Sequence, residues 1–385
     1  MSNPILLAPG PVQLHPEVQK ILSLPMIHHR TPQFDAILKS ALKRLQFLFQ
    51  TEQPVFMHSS TGSGGMESLL VNLLSQGDHV LVIVSGKFGE RWAEIAEHYA
   101  GFLGATVHRL NVEWGKAVHI EEVEKYLHEN PKTTLVLTQA TETSTATRHD
   151  IQALSEITAK TQALLLVDGI TAVGAYPLPM DEWKIDGLVA GSQKAVMLPT
   201  GMSYLSLSAR AWKKAQSAQC PRFYFDLRKE FAANEKGETL FSSNVPLTRA
   251  LDYVLGRIES LGLQKHFDQI RRRADYTRAM LPYMDLILYS KAPSDSVTAI
   301  ALPPVLDGIK LRGHLEKTYA LTLMGGQDKL KGKILRIGHM GYITDETLHE
   351  TTIRMTEGLN DFNYQLDYKK IEQASKEWLA RNKVN

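Results

Sequence analysis

At 385 residues the chain is too long for one minimal domain and suits two. Its 43 Lys plus Arg nearly balance 41 Asp plus Glu, which removes the electrostatic footprint of a nucleic-acid binder, and 43% hydrophobic with 22% charged residues describes an ordinary soluble globular chain. The lone cysteine, Cys220, excludes an intrachain disulfide and any metal cluster held by several thiolates of this chain.

The opening residues, MSNPILLAPGPV, lack a basic region ahead of a long apolar core, so no secretory signal is expected. No run reaches the apolar length of a membrane span, and the last residues are not a peroxisomal Ser-Lys-Leu address; the expected location is the cytoplasm. Residues 5–16 carry Pro9, Pro11 and Pro16, with Gly10 between two prolines, and so read as an extended arm rather than a helix. His28-His29-Arg30-Thr31-Pro32 suits a loop-to-helix junction. Phe34, Ile37, Leu38, Ala41, Leu45 and Leu48 then predict a helix over 33–49.

Residues 55–58 read as a short strand, 59–65 as a glycine- and hydroxyl-rich turn. Met66, Leu69, Leu70 and Leu73 follow at helical spacing, with Gly77 as the stop. Strand, flexible turn and helix N-terminus together can bind a phosphate, because free N–H groups and the helix dipole both face the anion. The turn has neither a Walker Gly-Lys-Ser/Thr nor a dinucleotide fingerprint, since Glu67 stands where the last glycine would be. On these residues alone it is either a phosphate site or a plain turn.

Further strands are expected at 79–84, 106–110 and 134–138, an acidic amphipathic helix at 119–129, and a helix over 151–161 capped by Asp150. Residues 163–167, Ala-Leu-Leu-Leu-Val, form a continuous apolar run ending at Asp168; residues 187–190 end at Gly191-Ser192-Gln193-Lys194. Such runs suit strands buried on both faces of a parallel sheet, whose carboxyl ends are where ligands sit. Asp168 and Lys194 would both stand there. A carboxylate beside an amine is what a pyridoxal phosphate enzyme needs, although singly an aspartate can cap a turn and a lysine can be solvated. A strand at 202–208 precedes a polar, loop-rich stretch over 219–245. A long helix over 247–284, broken near Gly262, leads to strands near 285–290, 296–302 and 333–339. Arg336 alternates with Leu335 and Ile337 and needs a carboxylate partner, either a structural one or a substrate's.

Asp-Gly-Ile-Thr-Ala-Val-Gly from Asp168, followed by Ser-Gln-Lys-Ala from Ser192, resembles the class V (fold type I) aminotransferases, in particular the branch of alanine–glyoxylate, serine–glyoxylate and serine–pyruvate aminotransferases. The resemblance runs to about Leu359. It implies an α/β fold: a large domain with a mainly parallel central sheet flanked by helices (17–260), a smaller α+β C-terminal domain (261–385) and an N-terminal arm (1–16). It implies pyridoxal 5′-phosphate on a Lys194 Schiff base, with Asp168 at the pyridinium nitrogen and Gln193 beside them. Thr61, Gly62 and Ser63 become the phosphate cradle, Phe88 the ring stack (otherwise a core Phe), and Thr143 the contact to the ring oxygen. Gly10 approaches the substrate and Arg336 takes its carboxylate. Phe241 and Asn244 lie in a segment that reaches the partner's phosphate in a homodimer, and they stand where the family favours Tyr and Thr; Ala146 replaces a usual glycine. The expected reaction is ping-pong transfer of an amino group from alanine or serine to glyoxylate or pyruvate. A 2-aminoethylphosphonate transaminase needs a phosphonate pocket not identified here. A cysteine desulfurase needs a mobile nucleophilic cysteine, and Cys220 lies in no matching motif. A non-catalytic binding protein, or a subunit of a redox complex (some related chains are labelled hydrogenase subunits), is the reading from another class.

Overall fold

The computed structural model describes residues 3–383. Seven strands form the central sheet in the order Val55–His58, Ser203–Leu207, Gly187–Gly191, Leu164–Asp168, Thr133–Gln139, His79–Val84 and Thr106–Asn111. Ser203–Leu207 is antiparallel to both neighbours; the pairs from Gly187–Gly191 onward are parallel.

The apolar runs are continuous because both faces of the sheet are covered. Leu164 and Leu166 join the core under the helices Gly62–Val71 and Lys87–Leu103, while Leu165 and Val167 join the opposite core with the helices Pro32–Phe49 and Val245–Leu261. Each fully buried leucine contributes roughly 1.5–3 kcal/mol. Thr106–Asn111 has one neighbour and alternates between exposed and half-buried residues, the pattern of an edge strand.

A second sheet, antiparallel, runs Ile287–Leu288, Val297–Ala301, Ile334–Gly338, Met324–Gly325. The helices Leu263–Met280, Gly308–Tyr319, Asp345–Asn360 and Tyr368–Arg381 pack a separate core on it. The N-terminal arm belongs to this core through Ile5 and Leu7, and Ile5–Leu6 pairs in parallel with Leu321–Thr322. Gly338 lets the arm lie flat on the Arg336 strand, since a Cβ there would meet the Ala8 carbonyl oxygen at 2.3 Å.

Two expectations shift. The helix after the glycine-rich turn starts at Gly62 and ends at Val71, well before Gly77. Asn72 ends it: its side-chain amide donates to the carbonyls of Ser68 and Phe225 and accepts the Leu227 N–H. The strand near 285–290 shortens to Ile287–Leu288 behind a 3₁₀ turn, Leu281–Met284. The long helix does break at Gly262, whose φ is +85°, between Val245–Leu261 and Leu263–Met280. No helix of the described residues is long and apolar enough to cross a membrane.

Candidate active site

Asp168 closes its strand and Lys194 stands three residues past the neighbouring parallel strand, so both reach the carboxyl edge of the sheet. The Asp168 carboxylate accepts the Ile170 N–H at 2.8 Å, in a turn where a Cβ on Gly169 would meet Leu188 at 2.8 Å. Lys194 Nζ donates to the Pro9 carbonyl at 2.6 Å, and Gly10, at φ +126°, lies so close that a Cβ would sit 2.5 Å from Nζ. Both charged groups are buried, 4% and 8% exposed. Burial pushes the Asp168 carboxyl up to about 7, against the Ile170 N–H, with Glu142 raising it further and Lys194 and Arg91 opposing. Burial pulls the Lys194 amine down to about 8; Asp168 opposes this, and Arg336 and Arg91 add to it.

Two helices begin beside this pair, and they differ. At Lys87–Leu103 the buried Glu142 carboxylate accepts the N–H groups of Phe88 and Gly89 at 3.1 and 3.0 Å, and Ser144 Oγ accepts that of Lys87 at 3.0 Å. That N-terminus is filled by the protein's own carboxyl group, whose pKa burial raises against the opposing hydrogen bonds from Ser144, Gly89 and Phe88. At Gly62–Val71, Thr61 occupies the N-cap position without a side-chain cap, and it is exposed. Its first-turn N–H groups are open to a ligand. Gly62 lies against Ile170, where a Cβ would be 2.4 Å from the isoleucine, and Ser63 Oγ accepts Arg91 Nη1 at 3.0 Å. Phe88 is half-buried, its ring 4.9 Å from the Arg91 guanidinium carbon.

Thr143 Oγ1 and Thr171 Oγ1 share a 2.7 Å hydrogen bond. The Thr143 carbonyl accepts Arg336 Nη1 at 2.9 Å, and the Gly325 carbonyl accepts Nε at 3.0 Å. Among the described residues no carboxylate stands within ion-pair distance of Arg336, and burial lowers its pKa to about 10, with Glu142 opposing. The structural salt bridge that its pattern allowed is not formed. Gln193 Oε1 is buried with no hydrogen-bond partner. Ala146 holds φ +57°, a conformation glycine adopts freely, and its methyl packs with Trp114 and Val297.

Lys194, Asp168 and Gly10 thus gather at one edge, with Thr143 bonded to Arg336 and Phe88 to the Glu142 clamp. Phe241 and Asn244 do not join them within one chain. Phe241 stacks on Tyr224 at 4.7 Å, and Asn244 caps its helix through the Leu247 N–H; both line a pocket with His58 and Ser59. His28 and His29 stack on each other, Arg30 pairs with Glu238, and Thr31 caps Pro32–Phe49: a junction, as that reading had it. Sequence reasoning missed Pro9, Glu142, Thr171 and Arg91. Only Arg91 left a signal, standing three residues after Phe88 and hence on the same helix face.

The sequence pattern of the family described as Aminotransferase class-V matches residues 15–313. The chain is 34% identical over 352 residues to the L-aspartate–glyoxylate aminotransferase of Paracoccus denitrificans (strain Pd 1222), spanning 89% of this chain and 88% of that one. It is also 34% identical, over 349 residues, to a protein of Synechococcus sp. (strain PCC 6716) named soluble hydrogenase, small subunit, spanning 89% of this chain and 90% of that one. Its fold superposes on the crystal structure of ureidoglycine–glyoxylate aminotransferase from Bacillus subtilis with a TM-score of 0.92, at 26% identity, covering 99% of each chain.

Proposed function

The chain belongs to the class V aminotransferases, with the fold type I architecture of that family, and on that premise we propose that it uses pyridoxal phosphate to move an amino group from a small amino acid, alanine or serine, to glyoxylate or pyruvate. The observation that carries the reading is the buried pair at the sheet edge: an amine pulled down to about 8 and a carboxylate pushed up to about 7. Perturbed groups of opposite kind in one crevice mark a reactive site.

The residues present fit the cofactor. An uncapped helix N-terminus at Thr61, Gly62 and Ser63 suits its phosphate. Asp168 suits its ring nitrogen, Phe88 and Thr143 its ring, and the orphaned Gln193 Oε1 a polar group of the ligand. Lys194 would hold it covalently. When bound, the cofactor supplies an electron sink for the pair left at the substrate Cα.

The rest is the work of this chain. Asp168 keeps a proton at the ring nitrogen. Lys194, once the substrate's amino group has displaced its amine from the cofactor, takes a proton from Cα with that amine, partly unprotonated at neutral pH, and later returns one. Arg336 fixes the α-carboxylate with its fork and so aims the Cα–H bond. Pro9 and Gly10 cover the amine and exclude water.

The proposed organisation is an arm (1–16), a large domain (17–260) and a small domain (261–385). The assembly is a cytoplasmic homodimer in which Phe241 and Asn244 face the partner's site. A redox-subunit reading leans on the name of the Synechococcus relative, but one cysteine supplies no set of thiolates. A panel of alanine, serine and aspartate against glyoxylate, and of serine and aspartate against pyruvate, tests the reading: keto-acid formation from alanine or serine is expected, and none from either overturns it.

A further inference from the structure

Two helix N-termini face the site, and only Gly62–Val71 is left open to an anion. A helix end offers about half an elementary charge, far less than a phosphate dianion carries. Arg91 stands where the remainder is needed. Its Nη1 donates to Ser63 Oγ at 3.0 Å, in the first turn of that open helix. Its acidic neighbours on the helix do not neutralise it: Glu90 pairs with Lys87, Glu97 with Arg109, and Glu94, three residues on, forms no ion pair with it. Among the described residues no carboxylate lies within ion-pair distance of Arg91, although it is half-buried.

Its position is also fixed. The Phe88 ring lies 4.9 Å from the guanidinium, and Glu142 clamps the first turn of the helix that carries both. The Arg91 charge acts at the reacting groups too, lowering the pKa of both Asp168 and Lys194.

We propose that Arg91 is the counter-charge of the cofactor phosphate, reaching over Ser63 from within the same chain. This rests on the pyridoxal phosphate reading above. Arginine suits the task because its planar fork can hold Ser63 Oγ with one N–H and phosphate oxygens with others.

The test compares the apoprotein's affinity for pyridoxal phosphate, for phosphate-free pyridoxal and for inorganic phosphate, by equilibrium dialysis, in wild type, Arg91→Met and Arg91→Lys. Loss of charge-assisted bonds should weaken pyridoxal phosphate about tenfold to a hundredfold in Arg91→Met. Inorganic phosphate should weaken in parallel, pyridoxal should be unchanged, and Arg91→Lys should fall between. If Arg91→Met does not fold by circular dichroism, Arg91→Gln, which keeps a donor for Ser63 but no charge, takes its place. Equal weakening of pyridoxal and pyridoxal phosphate, or no weakening of either, overturns the proposal and leaves the cofactor reading standing. A wild-type apoprotein that binds no pyridoxal phosphate overturns both.

Discussion

Replacing Arg336 separates a guanidinium kept for substrate from one kept for structure. The side chain is 6% exposed, and its hydrogen bonds go to two carbonyls, those of Gly325 and Thr143. Burial with no carboxylate at ion-pair distance lowers its pKa to about 10, so the cation is held against its own preference for water. A structural ion pair would behave in the opposite way: breaking it would strand a buried charge and cost about 3–5 kcal/mol. Lysine at 336 keeps the charge and loses the fork. Each charge-assisted bond lost contributes roughly 1.5–3 kcal/mol, so Arg336→Lys should lower kcat/KM for alanine or serine by at least about tenfold. Small carboxylate inhibitors should weaken by the same factor, while an amine without a carboxylate should react equally with both proteins. Thermal unfolding gives an independent readout. A carboxylate ligand at a hundred times its Kd should stabilise the wild type by about 2.7 kcal/mol and Arg336→Met not at all, while unliganded Arg336→Met should lose less than the about 3–5 kcal/mol of a broken buried ion pair, since it strands no charge and leaves only the Gly325 and Thr143 carbonyls without their donor. Wild-type kcat/KM and inhibitor constants in Arg336→Lys, or a variant that loses stability and nothing else, would refute the reasoning.

Asp168→Asn should slow turnover severely while leaving covalent capture of the cofactor intact; unchanged turnover removes Asp168 from its role. The same substitution has a pH signature in the apoprotein. The folded carboxyl sits at about 7 against an ordinary 3.8, so the native state binds more protons between those values and Asp168 lowers stability as pH rises across that window. Urea unfolding at steps from pH 4 to pH 7 should therefore favour Asp168→Asn increasingly over wild type, and a constant difference would contradict the shift. Gly10→Ala places a methyl 2.5 Å from Lys194 Nζ at a backbone φ of +126°, so cofactor affinity should fall sharply; wild-type affinity would mean that the arm does not cover the amine. Sedimentation equilibrium should give a dimer, and an active monomer would remove Phe241 and Asn244 from any partner's site.

Some of this was legible in the sequence for local reasons. The run over 163–167 is apolar without interruption because Leu164 and Leu165 face different cores, and that alone predicts a covered parallel strand. Arg336 between Leu335 and Ile337 announced a cation amid apolar neighbours. What failed was non-local. The helix ends at Asn72 because of Phe225 and Leu227, about 150 residues along the chain, and no periodicity carries that. The Pro9 carbonyl meets Lys194 across 185 residues. Glu142 reads as part of a threonine-rich strand end, yet it clamps a helix that starts at Lys87. Arg91 shares a helix face with Phe88 by its spacing, but that it turns to Ser63 only the fold shows.

The central claim is that Lys194 holds the cofactor and carries the proton at Cα. The direct measurement is a single half-reaction, followed by absorbance. Apoprotein is loaded with pyridoxal phosphate, freed of excess, and mixed with alanine or serine in the absence of any keto acid. The wild type should convert its bound cofactor to the pyridoxamine form in one turnover and release pyruvate or hydroxypyruvate, while Lys194→Ala should show neither covalent capture nor conversion. Conversion by Lys194→Ala at the wild-type rate, or a loaded wild type that converts with neither amino acid, would contradict it.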